Sequence, residues 1–336
     1  MPRVTILHTM KRIALLFVAL LGLNLRAADT SMLVLLKAIS LPDVHGRIDH
    51  FALDAHGQRL FMAALGNDTV EVIDVKTGKR LRSIGGCSTP QGVAFVPGEN
   101  RLFIANGGSG VVKMLDGAEF NTLKSVGNLP DADNVRYEAK KELLYAGYGN
   151  GALAVISATN GELIARIKLA GHPESFQLEN NGNRIFVNVP DANQIAVVDS
   201  DQRRVVATWP MEKFRSNFPM ALDEANQRLF VGCRSPARLV VLDSASGRQV
   251  GNVEIDGDTD DLFYDADRKQ IYASCGAGFI DVIGQTTADH YQLRERIPTS
   301  AGARTSFFAP AQNSLYLAVR AGAFSGRAEI RIYKPR

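Results

Sequence analysis

The sequence predicts an all-β fold of seven repeated units, each of four short antiparallel strands, closed into a ring: a seven-bladed β-propeller. Three observations carry this. An apolar pair ending in Phe or Tyr recurs seven times at nearly constant spacing. Val- and Ile-rich runs with a two-residue period lie between the pairs. Gly-containing turns separate those runs.

The pairs are Leu60-Phe61, Leu102-Phe103, Leu144-Tyr145, Ile185-Phe186, Leu229-Phe230, Ile271-Tyr272 and Leu315-Tyr316. Their aromatics are 42, 42, 41, 44, 42 and 44 residues apart. Units of about 40 residues with four strands are the signature of propeller blades. The four strands are labelled a to d in chain order. Strand b holds the aromatic. Strand a lies before it, because the position eight residues earlier is apolar or aromatic in every unit (Leu53, Phe95, Tyr137, Leu178, Leu222, Tyr264, Phe308). Strand c is the alternating run, as in Val70-Glu71-Val72-Ile73-Asp74 and Leu239-Val240-Val241-Leu242-Asp243. Turns such as Thr77-Gly78-Lys79 and Ser246-Gly247-Arg248 lead into strand d. A lone blade leaves both faces wet, whereas stacked blades bury them and protect most strand edges.

The last unit stops after its strand c, Glu329 to Tyr333, and has no strand d of its own. The segment Met32 to Leu41 is an unassigned strand ahead of the first unit. It is expected to complete the seventh blade and lock the ring. Residues Arg320 to Arg327 lengthen the last b–c loop.

The chain has 336 residues, of which 46% are hydrophobic and 22% charged, which excludes a disordered, collagen-like or polytopic membrane protein. Residues 1–27 read as a signal peptide: Lys11-Arg12, then an apolar run from Ile13 to Leu23, then small residues Ala27 and Ala28. That run falls short of the about 20 residues needed to span a bilayer. Residues 28–336 form the propeller domain, expected to be periplasmic or extracellular, monomeric and without a membrane span. The formal charge of +3 includes Arg3, Lys11, Arg12 and Arg26. Removing those four leaves about −1, which disfavours nucleic acid as a partner. Cys87, Cys233 and Cys275 form no CxxC pair, which argues against c-type haem and zinc sites. They are expected to be small buried apolar residues.

Phe103-Ile104-Ala105-Asn106, Phe61-Met62-Ala63-Ala64 and the run Asn67 to Lys79 carry a family likeness. On these motifs the chain resembles the YVTN-repeat, YncE-like seven-bladed propellers, and the likeness covers nearly the whole domain. It implies the fold and says little about function, because the repeat pattern is structural. Related propellers include lactonases and lyases, and single-stranded nucleic-acid binding is suggested for some YncE-like proteins. There is no Trp-Asp repeat (the sole tryptophan is Trp209), so the WD40 class is disfavoured.

In a propeller strand a lines the central channel, and the d–a and b–c loops open on one face. The position twelve residues before each strand-b aromatic therefore decides what rings the channel mouth. It holds Asp49, Gln91, Asp133, Glu174, Phe218, Asp260 and Arg304. Carboxylates there are not needed for packing and are costly unless paired or bound. Arg47, His50, Arg136, His172 and Arg320 fall on the same predicted face, with His45, Tyr148 and Arg234. Three readings follow. The charges pair with one another around a wet entrance. Alternatively, they form a pocket for a small polar or anionic ligand or a protein partner, with Arg47, Arg136, Arg304 and Arg320 as a carboxylate or phosphate fork. As a third possibility, Asp49, His50, Glu174 and Asp260, with His172, hold a divalent metal ion that activates water against a lactone-like substrate, as a hydrolase or lyase. The acidic stretch Asp256 to Asp261 lacks the downstream glutamate of an EF-hand and reads as a solvated turn. No nucleophile elbow, Walker loop or dinucleotide-binding loop is present.

Overall fold

A computed structural model describes residues 31–56, 58–322 and 326–336. The predicted signal peptide, and residues 323–325 of the lengthened last loop, lie outside the described residues. The remainder forms seven four-stranded antiparallel sheets. Blade 1 sets the pattern, with strand a at Phe51–Asp54, b at Arg59–Ala64, c at Thr69–Asp74 and d at Lys79–Ile84. In blades 1 to 6 a bulge interrupts the c–d pairing, as between Val72 and Ile73 in blade 1. An extra residue there raises the local twist of the outermost strand.

The recurring apolar pair has a specific job. Neighbouring residues on a strand point to opposite faces. Phe61 therefore packs into the blade 1–2 interface, while Leu60 packs into the blade 7–1 interface. The same holds round the ring, so each of the seven apolar clusters receives the aromatic of one blade and the Leu or Ile of the next. The near-constant spacing of the pairs is thus the spacing of the blade interfaces. All three cysteines are buried and unpaired.

Closure follows the predicted route. Blade 7 comprises Ser306–Ala309, Ser314–Val319, Ala328–Pro335 and, as its outer strand, Leu33–Leu41. The register runs from Leu33 opposite Pro335 to Leu41 opposite Ala328. Leu33 packs into the blade 6–7 cluster, and Ile39 and Leu41 into the blade 7–1 cluster.

The a strands touch one another in unbroken succession and form the inner ring. Gly92, in strand a of blade 2 (Pro90–Val96), has no room for a side chain. A Cβ there would lie 2.1 Å from the Asp133 carbonyl oxygen. Blade 2 therefore runs tight against the backbone that presents Asp133.

Candidate functional site

Each blade delivers its chain to the inner ring through the residues just before strand a. The Asp49, Asp133 and Glu174 amides donate to carbonyls of their own strand b, those of Ala63, Gly147 and Asn188. The three carboxyls thus occupy equivalent ladder positions in blades 1, 3 and 4. They converge on one narrow cavity lined by Arg47, Asp49, His50, Asp133, Asn134, Glu174, Ser175, Phe218 and Asp260. Five blades contribute to it. Its volume is about 20 Å³, room for one water or the head of one functional group.

Six of the ten residues expected to bind a ligand line this cavity: Arg47, Asp49, His50, Asp133, Glu174 and Asp260. Arg136 stands behind it, stacked over the Phe176 ring at 5.5 Å and donating to the Val135 carbonyl at 2.9 Å. Its charge offsets Asp261 and Asp133. His172 also stands behind, with Nε2 3.8 Å from Asp133 and Nδ1 2.6 Å from the Gly149 carbonyl. Arg304 and Arg320 line a second small cavity with Arg47, which is common to both. His45 is exposed and takes no part.

The arginines do not form a free fork. Arg47 donates to Asp49 at 2.8 Å. Arg304 contacts Asp258 and lies 3.0 Å from Asp260 through Nε. Arg234 also contacts Asp260, donates to the Thr259 carbonyl at 2.8 Å and stacks 3.8 Å from the Phe218 ring. The acidic stretch is therefore not the solvated turn expected. Asp258 and Asp260 are bound by guanidiniums, and Asp261 is buried, accepting from the Ser306 amide at 2.7 Å. Local composition could not reveal this, because both arginines come from distant parts of the chain.

Four carboxyls and one guanidinium line the Asp133 cavity, and burial amplifies the repulsion among the carboxyls. Desolvation, then Asp133, holds Asp49 well above the usual carboxylate range. Asp261 is raised by burial and by Asp260. Burial and Asp133 push Glu174 up to about 7. Burial lowers His50, whose Nε2 lies 3.7 Å from Asp49 and 3.8 Å from Asp133. His172 goes the other way, to about 9, because Asp133 and the Gly149 carbonyl favour its charged form.

Two acceptors in this wall have no partner. Asn134 is 2% exposed and Asp133 is 8% exposed, yet Oδ1 of each lacks a hydrogen bond. Unfilled acceptors at such depth are uncommon and costly. Asn134 and Ser175 were not singled out in the sequence. They form a second column, one residue after Asp133 and Glu174, which the twelve-residue offset passes over.

The metal expectation named Asp49, His50, Glu174 and Asp260. The fold brings all four to one cavity, but Asp49 and Asp260 are engaged by arginines. Among the described residues no group of three or more His, Cys, Asp or Glu is placed to hold a metal ion.

No family model matches this chain, and no curated protein matches it. Similar solved structures exist. One is Kuenenia stuttgartiensis hydrazine synthase, at 15% identity and a TM-score of 0.74, covering 85% of this chain and 96% of that one. Another is a chain of the mitotic checkpoint complex, at 12% identity and a TM-score of 0.75, covering 97% of this chain and 99% of that one. At these identities the likeness is one of fold, the seven-bladed propeller. The YVTN resemblance continues to rest on the sequence motifs.

Proposed function

We propose that this propeller is a binding module that takes a small polar ligand, or a side chain of a protein partner, at the mouth of its central channel. One observation carries the reading. Residues from five blades, remote in sequence, meet in a single cavity with two acceptor oxygens left unfilled. Simple pairing around a wet entrance would not leave Asp133 and Glu174 without a lysine or arginine among the described residues. The anionic variant of the proposal is the weaker one, because Arg47, Arg234 and Arg304 already serve carboxylates.

An occlusion test separates binding here from binding elsewhere. A screen of charged and neutral metabolites by thermal shift should yield a ligand that raises the melting temperature of the parent protein. At a hundredfold excess over its dissociation constant such a ligand adds about 2.7 kcal/mol. Ser175→Leu fills the cavity without changing charge and should remove that increment. Circular dichroism confirms that the variant is folded, and Ser175→Val serves if it is not. A ligand that stabilises parent and folded variant equally would place binding elsewhere.

Export is part of the same proposal, supported by the basic, apolar and small-residue order of the first 28 residues. N-terminal sequencing of protein recovered from the cell envelope or medium should begin at Ala28. An intact Met1 or Met10 in that fraction would contradict it.

A further inference from the structure

We infer that the group the cavity accepts is a primary ammonium, carried by a small amine or by a lysine side chain, held by Asp133, Asn134 and Glu174. This rests on the binding reading above and names the chemistry of its ligand. Three observations converge on it. The orphan atoms, Oδ1 of Asp133 and Oδ1 of Asn134, are both acceptors, so the missing group is a donor. Arg47 serves Asp49, and Arg234 and Arg304 serve Asp260, but among the described residues no lysine or arginine pairs with Asp133 or Glu174, so the missing group is a cation. The volume of about 20 Å³, room for about one water, suits a compact head rather than a planar guanidinium or a quaternary ammonium.

A water molecule satisfies only the first requirement. It donates hydrogen bonds but leaves the repulsion between Asp133 and Glu174 in place. An ammonium presents three donors and no acceptor on a compact point charge. Phe218 lines the same cavity and is its one apolar residue, a partner for the methylene stem behind such a head.

The proton balance gives a second signature. Glu174 faces Asp133, His172, Asp260 and Arg234, and its carboxyl is held up to about 7. Below that pH it is neutral and attracts a cation weakly. Above it the carboxylate is charged, while His172 keeps its charge to about 9 and a primary amine stays protonated. Affinity for an ammonium should therefore rise between pH 6 and pH 8, with proton release on binding. An anion should show the reverse trend.

The test uses butylammonium chloride, with tetramethylammonium chloride and sodium butanoate at matched ionic strength as probes of charge and donor count. Binding to the purified protein is followed by NMR shifts of the His50 and His172 rings. Saturable binding of butylammonium alone is expected, stronger at pH 8 than at pH 6. Asp133→Asn should weaken it by about tenfold or more, the order expected for losing a charge-assisted hydrogen bond. If that variant does not fold, Glu174→Gln should abolish the pH dependence instead. Equal binding of butylammonium and tetramethylammonium would overturn the inference. Binding of butanoate that Ser175→Leu blocks would overturn the ammonium and leave the channel mouth as the binding site. Butylammonium binding that survives Ser175→Leu would overturn both. No shift with any probe would also reject the ammonium. The source is decided by an N-acetylated, C-amidated Gly-Lys-Gly peptide and its Nε-acetyllysine counterpart. Tighter binding of the lysine peptide than of butylammonium assigns a protein segment, and weaker or equal binding assigns a free amine.

Discussion

Deleting Met32 to Leu41 should leave a chain that no longer unfolds in one cooperative step. The strand Leu33–Leu41 is the outer strand of blade 7, paired with Ala328–Pro335 along its length. It also inserts Leu33, Ile39 and Leu41 into two blade interfaces. Full burial of such side chains is worth roughly 1.5–3 kcal/mol each. Three of them approach the whole stability of a typical domain, about 5–15 kcal/mol. The deletion would also bare the edge of Ala328–Pro335, the kind of row of unpaired backbone groups that recruits other chains. Circular dichroism and a thermal melt read the outcome. A synthetic peptide of residues 31–43 added in trans should restore a sharp transition by adding a strand to that edge. A truncated protein melting as sharply as the parent, within a few degrees, would show that the ring does not depend on this lock.

Glu174→Gln should make the protein more stable at pH 8 and leave it unchanged near pH 4.5. The sign follows from linkage. A carboxyl whose folded-state value lies above its ordinary one favours the folded state only while protonated. Glu174 is raised from 4.5 to about 7, so its penalty is absent below 4.5, grows through that interval and is complete above 7. Gln keeps the shape and loses the charge. The gain is at most about 3 kcal/mol, from about 1.4 kcal/mol per pKa unit, the attraction to protonated His172 being already contained in that raised value. A melting temperature that falls in the variant at pH 8 would mean Glu174 is fully compensated by its neighbours, and the wall would then be ordinary ion pairing. A rise would mark a site that sacrifices stability for something other than folding, as binding sites commonly do.

The two predictions address different layers of the molecule. Closure was legible in the sequence because a blade missing its strand d and a spare strand at the other end of the domain imply each other. The inner wall was only half legible. Asp49, Asp133, Glu174 and Asp260 stood out as carboxyls in a column that packing does not require, and they do share a cavity. The second column, Asn134 and Ser175, carried no such signal, since neutral polar residues before a strand are commonplace. The sequence suggests Arg47, Arg136, Arg304 and Arg320 as a fork facing a ligand. The structure turns Arg47 and Arg304 onto carboxylates, stacks Arg136 over Phe176 and leaves Arg320 in the neighbouring cavity.

The chain by itself determined the repeat, the number of blades and which strand closes them. Those properties depend on periodicity along the backbone, because an apolar pair every 42 residues or so can bury both of its faces only between two copies of itself. Tertiary structure alone decided which charges meet. Asp260 and its partners Arg234 and Arg304 lie 26 and 44 residues from it along the chain, and Asp133 meets His50 from two blades away. Electrostatic partnership falls off with distance in space, and in a ring the spatial neighbours of a residue include those a full turn away in sequence.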